Sequence, residues 1–313
     1  MTGVRGVGQP WSMTAPMPLH GGFAESEMRH VLERACEAAD LDGTDAVLLR
    51  GHTNAVVRLT REPVVVKIAQ RGTRLAGVRR TVRFVRWLME RGFPTAPLHP
   101  VPEQPVVVDG HPVTFWTYLP QPDTPVPAAR IAEPLYALHQ LPAPPFRLRT
   151  LDNVSAIRAS LKVITTLPEE SLRFLSRRID RLERQLADIS YELPPAVLQG
   201  DPQHRNALYD GDRTVLCDWD TVAWGRPEWD LTTIEIHCRR FGYGPGHYRD
   251  FARAYGHDIT DWPGHPVLRD IRELRMITTN ARKAARTPGA MAEVERRIVG
   301  LRNEDTRLRW NIL

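Results

Sequence analysis

The chain reads as an α+β protein in which strands and helices are segregated, a mostly β first third followed by a mostly α remainder. Three observations predict this. Apolar, β-branched runs separated by turn residues fill the stretch to about residue 70: Ala46-Val47-Leu48-Leu49, Ala55-Val56-Val57 and Val64-Val65-Val66. Past residue 128 the apolar positions recur at helical spacing instead. The 313 residues, 42% hydrophobic and 25% charged, suffice for one large core and are ordinary for a globular protein.

Taken in order, residues 1–22 are rich in Gly, Pro and Met and read as a disordered N-terminal extension. Residues 24–39 carry Met28, Val31, Leu32, Ala35 and Ala39 on one face of a helix. After the three strands, Ala76 to Arg91 repeats the helical pattern through Val78, Val82, Val85 and Leu88. Pro94, Pro97, Pro100, Pro102 and Pro105 mark extended connections. Val106 to Trp116 is a hairpin around Asp109-Gly110, and Trp116-Thr117-Tyr118-Leu119-Pro120 leads into a Pro-rich segment. Helices are expected over 128–141, 155–166, 169–190, 230–240, 247–256, 267–286 and 289–303. No apolar stretch approaches the ~20 residues that span a bilayer. The first residues lack a secretory pattern, so a cytoplasmic protein is expected. Three cysteines without paired spacing argue against a disulfide scaffold or zinc site, and His237-Cys238 reads as packed helix.

Chemistry concentrates in Gln199-Gly200-Asp201-Pro202-Gln203-His204-Arg205-Asn206 and, beyond a strand-turn-strand, Asp218-Trp219-Asp220. Asp201 and Asn206 stand five apart in a loop, and Asp218 at a strand exit. Phosphoryl transfer needs this set: a carboxylate to take the acceptor hydroxyl's proton, and hard oxygen ligands for the Mg²⁺ on the nucleotide phosphates.

Gln199 to Leu231, closing on Pro227-Glu228-Trp229-Asp230-Leu231, resembles the aminoglycoside phosphotransferase family of small-molecule kinases. The usual phrase there is His-Gly-Asp-x4-Asn, then Asp-Trp, then Pro-x-x-Asp-Leu. The resemblance implies a protein-kinase-like bilobal fold, with residues 23–117 as a nucleotide-binding N-lobe and 118–313 as the C-lobe. It implies Asp201 as catalytic base, Asn206 and Asp218 as magnesium ligands, and Asp230 as a buried brace of the catalytic loop. Gln199 departs from the family's His, and His204 comes one position late.

Of 42 basic residues only three are lysines, Lys67, Lys162 and Lys283. Lys67 sits in Val64-Val65-Val66-Lys67-Ile68-Ala69, where a buried ammonium needs an anion; nucleotide phosphate is the natural one. Gly51, His52, Thr53 and Asn54 form the tip of the preceding hairpin and match the family's phosphate-covering loop. The resemblance implies that Trp116 and Tyr118 fall at the hinge between the lobes, where backbone groups would meet adenine. No phosphate-loop or dinucleotide fingerprint supports a rival nucleotide fold. A kinase lysine normally pairs with a glutamate on the next helix, yet Thr81 stands there and no acid precedes Glu90. The lysine is therefore expected to rely on phosphate or on a carboxylate from elsewhere.

The net charge is +5, and residues 265–313 carry 11 Arg and Lys against 6 Asp and Glu. An acidic pocket for polycations is not advertised; Asp220, Glu228, Glu235 and Asp250 are its candidates. The arginines alternate with acids and lack interleaved aromatics, which fits a solvated helix face rather than a nucleic-acid surface. The sequence thus points to an ATP- and Mg²⁺-dependent phosphotransferase acting on a hydroxyl of a small molecule (antibiotic, sugar or nucleoside-like). ATP and GTP are not distinguished. The alternatives are a peptide Ser/Thr kinase of the same fold, or a pseudokinase acting as a partner subunit.

Overall fold

The structure, a computed structural model, describes residues 24–51, 54–284 and 289–313; the expected extension at 1–22 lies outside the described residues. Helix α1 (Glu25–Ala39) precedes β1 (Val47–Gly51), β2 (Asn54–Arg58) and β3 (Val64–Ala69). Helix α2 (Leu75–Met89) and the hairpin β4 (Val106–Val108) and β5 (His111–Thr117) follow. The five strands form one antiparallel sheet in the order β1-β2-β3-β5-β4. Because side chains alternate along a strand, Val64, Val66 and Ile68 are fully buried with Val113, Phe115 and the apolar face of α1. Lys67, opposite Val56 and Thr114, faces the other way.

The remainder is helical: α3 (Ala128–His139), α4 (Asn153–Leu161), α5 (Glu169–Ala187), α6 (Glu228–Arg240), α7 (Pro245–Tyr255), α8 (His265–Ala284) and α9 (Ala290–Arg302). Two short antiparallel pairs interrupt it, β6 (Ala196–Leu198) with β9 (Ala223–Gly225), and β7 (Ala207–Asp210) with β8 (Arg213–Leu216). The segregated α+β layout predicted from the sequence is therefore the observed one. Boundaries moved where caps decided them. The Asp152 side chain accepts the Ser155 N–H at 2.9 Å, so α4 starts at Asn153 rather than 155. Pro245 occupies the first turn of α7, where its missing N–H costs nothing. Among the described residues no helix is long and apolar enough to cross a membrane.

One apolar core ties the two parts together. Phe84, Val85 and Leu88 of α2 and Phe93 beyond it join Leu135 and Leu138 of α3, Leu216, and Leu231 and Ile234 of α6. At its centre lies Trp219, fully buried, with its ring edge-on to Phe84 (centroids 5.3 Å apart) and Phe93 (6.1 Å). Its indole N–H donates to Thr95 Oγ1 at 2.8 Å. Beside it the backbone of Pro94–Ala96 is stitched to Leu216 by hydrogen bonds of 2.9 and 3.0 Å. Trp219 lies between Asp218 and Asp220, so this packing sets where both carboxylates stand. Trp219→Ala should cost about 3–5 kcal/mol of stability, the usual toll of emptying a large aromatic site. Urea unfolding measures it, and a loss below about 1 kcal/mol would mean the seam is held by other contacts.

Candidate active site

The β3 register carries Lys67 into the cleft between the sheet and the helical part. Its Nζ donates to Asp218 Oδ1 and to Asp220 Oδ2, each at 2.8 Å, with the lysine side chain 15% exposed. Burial alone would lower the ammonium's pKa, but the two carboxylates more than reverse this and hold it above the ordinary lysine range. The carboxylate the sequence lacked on α2 is therefore supplied by Asp220. The helix residue that stands in the glutamate's place contributes to it, since Thr81 Oγ1 approaches Asp220 Oδ1 at a long 3.5 Å. Asp220, considered from sequence only as an acceptor-pocket acid, is the functional residue that reading missed. Its signal was the Asp-Trp-Asp pattern, which puts two carboxylates on either side of an anchored tryptophan.

Asp218 leaves β8 with φ 56°, a left-handed conformation rare for a residue with a side chain. Burial pushes its carboxyl up, yet Lys67, and Arg50 with Nη2 at 3.9 Å, hold it below the usual carboxylate range. It is ionised at neutral pH. Both cations come from far upstream in the sequence, Lys67 from β3 and Arg50 from β1.

The loop that carries Asp201 follows β6 and is braced from α6. The fully buried Asp230 carboxylate accepts the Gln199 N–H at 2.8 Å and the Gly200 N–H at 3.0 Å, with His139 Nε2 at 3.2 Å. Gly200 has φ 85°, and a Cβ there would lie 2.4 Å from the Thr221 carbonyl oxygen, so only glycine fits. Gln199, which replaces the family's His, links both loops. Its Oε1 accepts the Asp201 N–H at 2.7 Å, while Nε2 donates to the carbonyls of Cys217 (3.0 Å) and Asp218 (3.2 Å).

Asn206, buried at the end of a single 3₁₀ turn (His204–Asn206), donates through Nδ2 to the Asp201 carbonyl at 2.9 Å. Among the described residues its Oδ1 has no donor. Asp201 accepts Gln203 Nε2 at 3.0 Å on Oδ2 and pairs through Oδ1 with Arg272 of α8. Burial pushes Asp201 above the ordinary carboxylate value; Arg272 opposes the rise and Asp218 adds to it. Arg272 lies some seventy residues away in sequence and had no local signal.

Of the nucleotide-side residues, Lys67, Asn54 and Trp116 line one cavity of about 330 Å³ together with Thr81 and Asp220. Gly51 and Tyr118 do not line it. Gly51 is held in the hairpin opposite Ala55. Tyr118 gives its N–H to the Pro63 carbonyl at 2.7 Å and its ring to the Arg58 guanidinium at 4.1 Å, so its backbone donor is already used. His52 and Thr53 lie outside the described residues. A second cavity, about 370 Å³, opens on Asp201, Arg205, Trp229, His237 and Arg272. None of the four acids considered for an acceptor pocket lines it. Asp220 serves Lys67, Glu228 accepts the Glu192 and Leu193 N–H groups at 2.8 Å, Glu235 pairs with Arg239, and Asp250 pairs with Arg253 on the surface.

The cross-cleft pairing generates a prediction opposite to that of an unbalanced lysine. A carboxyl depressed in the folded state adds stability above its unfolded pKa and loses it as pH falls through the folded one. Lys67→Met removes the charge that depresses Asp218, so the variant should unfold at lower urea at pH 7. The deficit should narrow as pH drops below the usual carboxylate range of about 4. A variant as stable as wild type at pH 7 would show that the lysine is loosely held.

The sequence matches the model of the phosphotransferase enzyme family over residues 46–271. No curated protein sequence matches it closely enough to add a relative. Among solved structures, a choline/ethanolamine kinase family protein from Mesorhizobium loti superposes with a TM-score of 0.66 at 21% identity, covering 89% of this chain and 93% of that one. An amicoumacin kinase bound to AMP-PNP, Ca²⁺ and Ami gives 0.67 at 14% identity, over 92% and 98%. A choline kinase from Streptococcus pneumoniae gives 0.65 at 15%, over 89% and 100%. The fold is thus the protein-kinase-like one of these enzymes, and with the family model spanning well over half of its length the chain belongs to the phosphotransferase enzyme family, as a kinase acting on hydroxyl groups.

Proposed function

We propose that the protein transfers the γ-phosphoryl group of ATP to a hydroxyl of a small molecule in the cytoplasm, with Asp201 as the base. The observation that carries the reading is the meeting of Lys67 with Asp218 across the cleft, one glutamine side chain away from Asp201. The acceptor oxygen bonds to the γ-phosphorus, the bond to the β–γ bridging oxygen breaks, ADP leaves, and the hydroxyl proton passes to Asp201. Lys67, released from one carboxylate, neutralises nucleotide phosphate charge, while Asp220 with Thr81 keeps the ammonium in place. Asn54 and Trp116 border the nucleotide side.

Asp218 and Asn206 are the residues that would hold Mg²⁺. The donor set fits: an ionised carboxylate, and an amide oxygen without a donor, are hard oxygen ligands on adjoining loops. When bound, the metal supplies charge neutralisation on the phosphates. Asp220 beside Lys67 favours this catalytic reading over a pseudokinase, whose motive was the missing helix glutamate. The neighbours' small-molecule acceptors favour it over a peptide kinase.

Asp201→Asn should keep Mg–nucleotide affinity and lose turnover by about 10²- to 10⁴-fold, the usual share of a positioned base. Retained turnover, read as acceptor-dependent ADP release, would remove Asp201 from the mechanism. Arg272 offers a pH test. Its charge opposes the rise of the Asp201 pKa, and a base works only above its pKa. Arg272→Met should therefore move the acid limb of the kcat/KM profile to higher pH, and Arg272→Lys should restore part of it. An unmoved limb in Arg272→Met would reduce Arg272 to a packing residue.

A further inference from the structure

The cavity beside Asp201 is built from cations. Arg149 and Lys283 stand exposed at its mouth, Arg205 and Arg275 are half-buried, and Arg272 and Arg297 are buried in its wall. Among the described residues Asp201 is the one carboxyl side chain lining it, and Leu313, the last residue, lines it too. Arg272 is paired with Asp201, and Arg297 with Glu293 at 2.8 Å. Arg149, Arg205 and Arg275 have no carboxylate within ion-pair distance among the described residues, and the undescribed residues contain no Asp or Glu. Among the described residues Arg275 meets the Thr279 hydroxyl, at 2.9 Å, and Arg149 the Val222 carbonyl, at 3.2 Å.

Gathering like charges in a half-buried wall is unfavourable unless an anion joins them. The cost is visible at Arg275, which burial, and then Arg272, Arg282 and Arg149, push down to about 10. Two polar groups at the site also await a partner. Arg272, 8% exposed, has an Nε without an acceptor, and His237, also 8% exposed, lines the cavity with an unpartnered Nε2. Elsewhere on the helices Arg29, Arg173 and Arg253 each pair with an acid three or four residues away.

We propose that this cavity takes an acceptor bearing an anionic group, phosphate or carboxylate, which Arg275 and Arg205 grip while its hydroxyl is presented to Asp201. The proposal rests on the kinase reading for the hydroxyl's fate. Guanidinium forks suit both anions, since each can be held by paired, charge-assisted hydrogen bonds. The same wall repels polycations, so aminoglycosides and quaternary amines are poor acceptors here.

The test pairs binding with turnover on the full chain. Calorimetry in saturating Mg–AMP-PNP, which blocks the nucleotide site, compares glucose 6-phosphate, gluconate, glucose, glucosamine and kanamycin; acceptor-dependent ADP release ranks the same compounds. The two anions should bind best, and whichever of them binds more tightly tells phosphate from carboxylate. Arg275→Met, and separately Arg205→Met, should weaken that binding about 10- to 100-fold, as expected for one or two charge-assisted hydrogen bonds. In Arg275→Met the KM for ATP should shift far less than the KM for the acceptor. Preference for glucosamine or kanamycin, or anion binding unchanged in both variants, would overturn the proposal. If that preference came with Asp201-dependent turnover, the kinase reading would survive it. Anion binding that Arg275→Met abolishes, in a protein without any Asp201-dependent turnover, would keep the anion site and sink the kinase reading instead.

Discussion

The buried carboxylate of Asp230 constrains the active site more than any other group. It is fully removed from solvent and accepts the N–H groups of Gln199 and Gly200, with His139 behind it. A charge in that position is tolerable only because its oxygens are satisfied, and removing any partner would leave an uncompensated group. The consequence is a loop that cannot drift. With Gln199 and Gly200 pinned, Asp201 emerges at a fixed point, and the Gln199 side chain reaches across to the Cys217 and Asp218 carbonyls. The Asp201 and Asp218 loops are thereby joined through one side chain, the kind of support that a candidate catalytic geometry needs.

The second constraint is electrostatic and runs across the cleft. A lysine in a Val-rich strand is costly without a counter-charge, and here two carboxylates meet it. Their positions depend on Trp219, whose burial among Phe84 and Phe93 places Asp218 and Asp220 to either side of the anchor. Packing, backbone strain at Asp218 and ion pairing are thus parts of a single arrangement, as expected where conformational strain is retained at a functional site.

Charge is distributed with the same economy. The acids of the helical part are committed elsewhere: Glu228 to backbone N–H groups, Glu235 to Arg239, and Glu273 to Arg239 and Arg240. This leaves Asp201 facing a wall of guanidinium groups. The basic excess of the last fifty residues is therefore not a uniform solvated surface, since part of it turns inward toward Asp201.

The sequence by itself determined the segregated α+β layout, because alternation with period two and apolar recurrence near 3.6 are local properties. It also determined the candidate base and metal ligands, because Asp201, Asn206 and Asp218 fall in one short, ordered phrase, and the lysine, because a charge inside a β-branched run is conspicuous. Only the tertiary structure decided what those residues touch. Asp220 reaches Lys67 because Trp219 is sequestered, a packing fact without sequence periodicity. Arg272 reaches Asp201 because α8 packs beside α6, and Tyr118 loses its backbone donor to a turn more than fifty residues upstream. The direction in which the arginines of α8 point follows from the rotation of that helix against its neighbours, which long-range burial sets and no local pattern can encode.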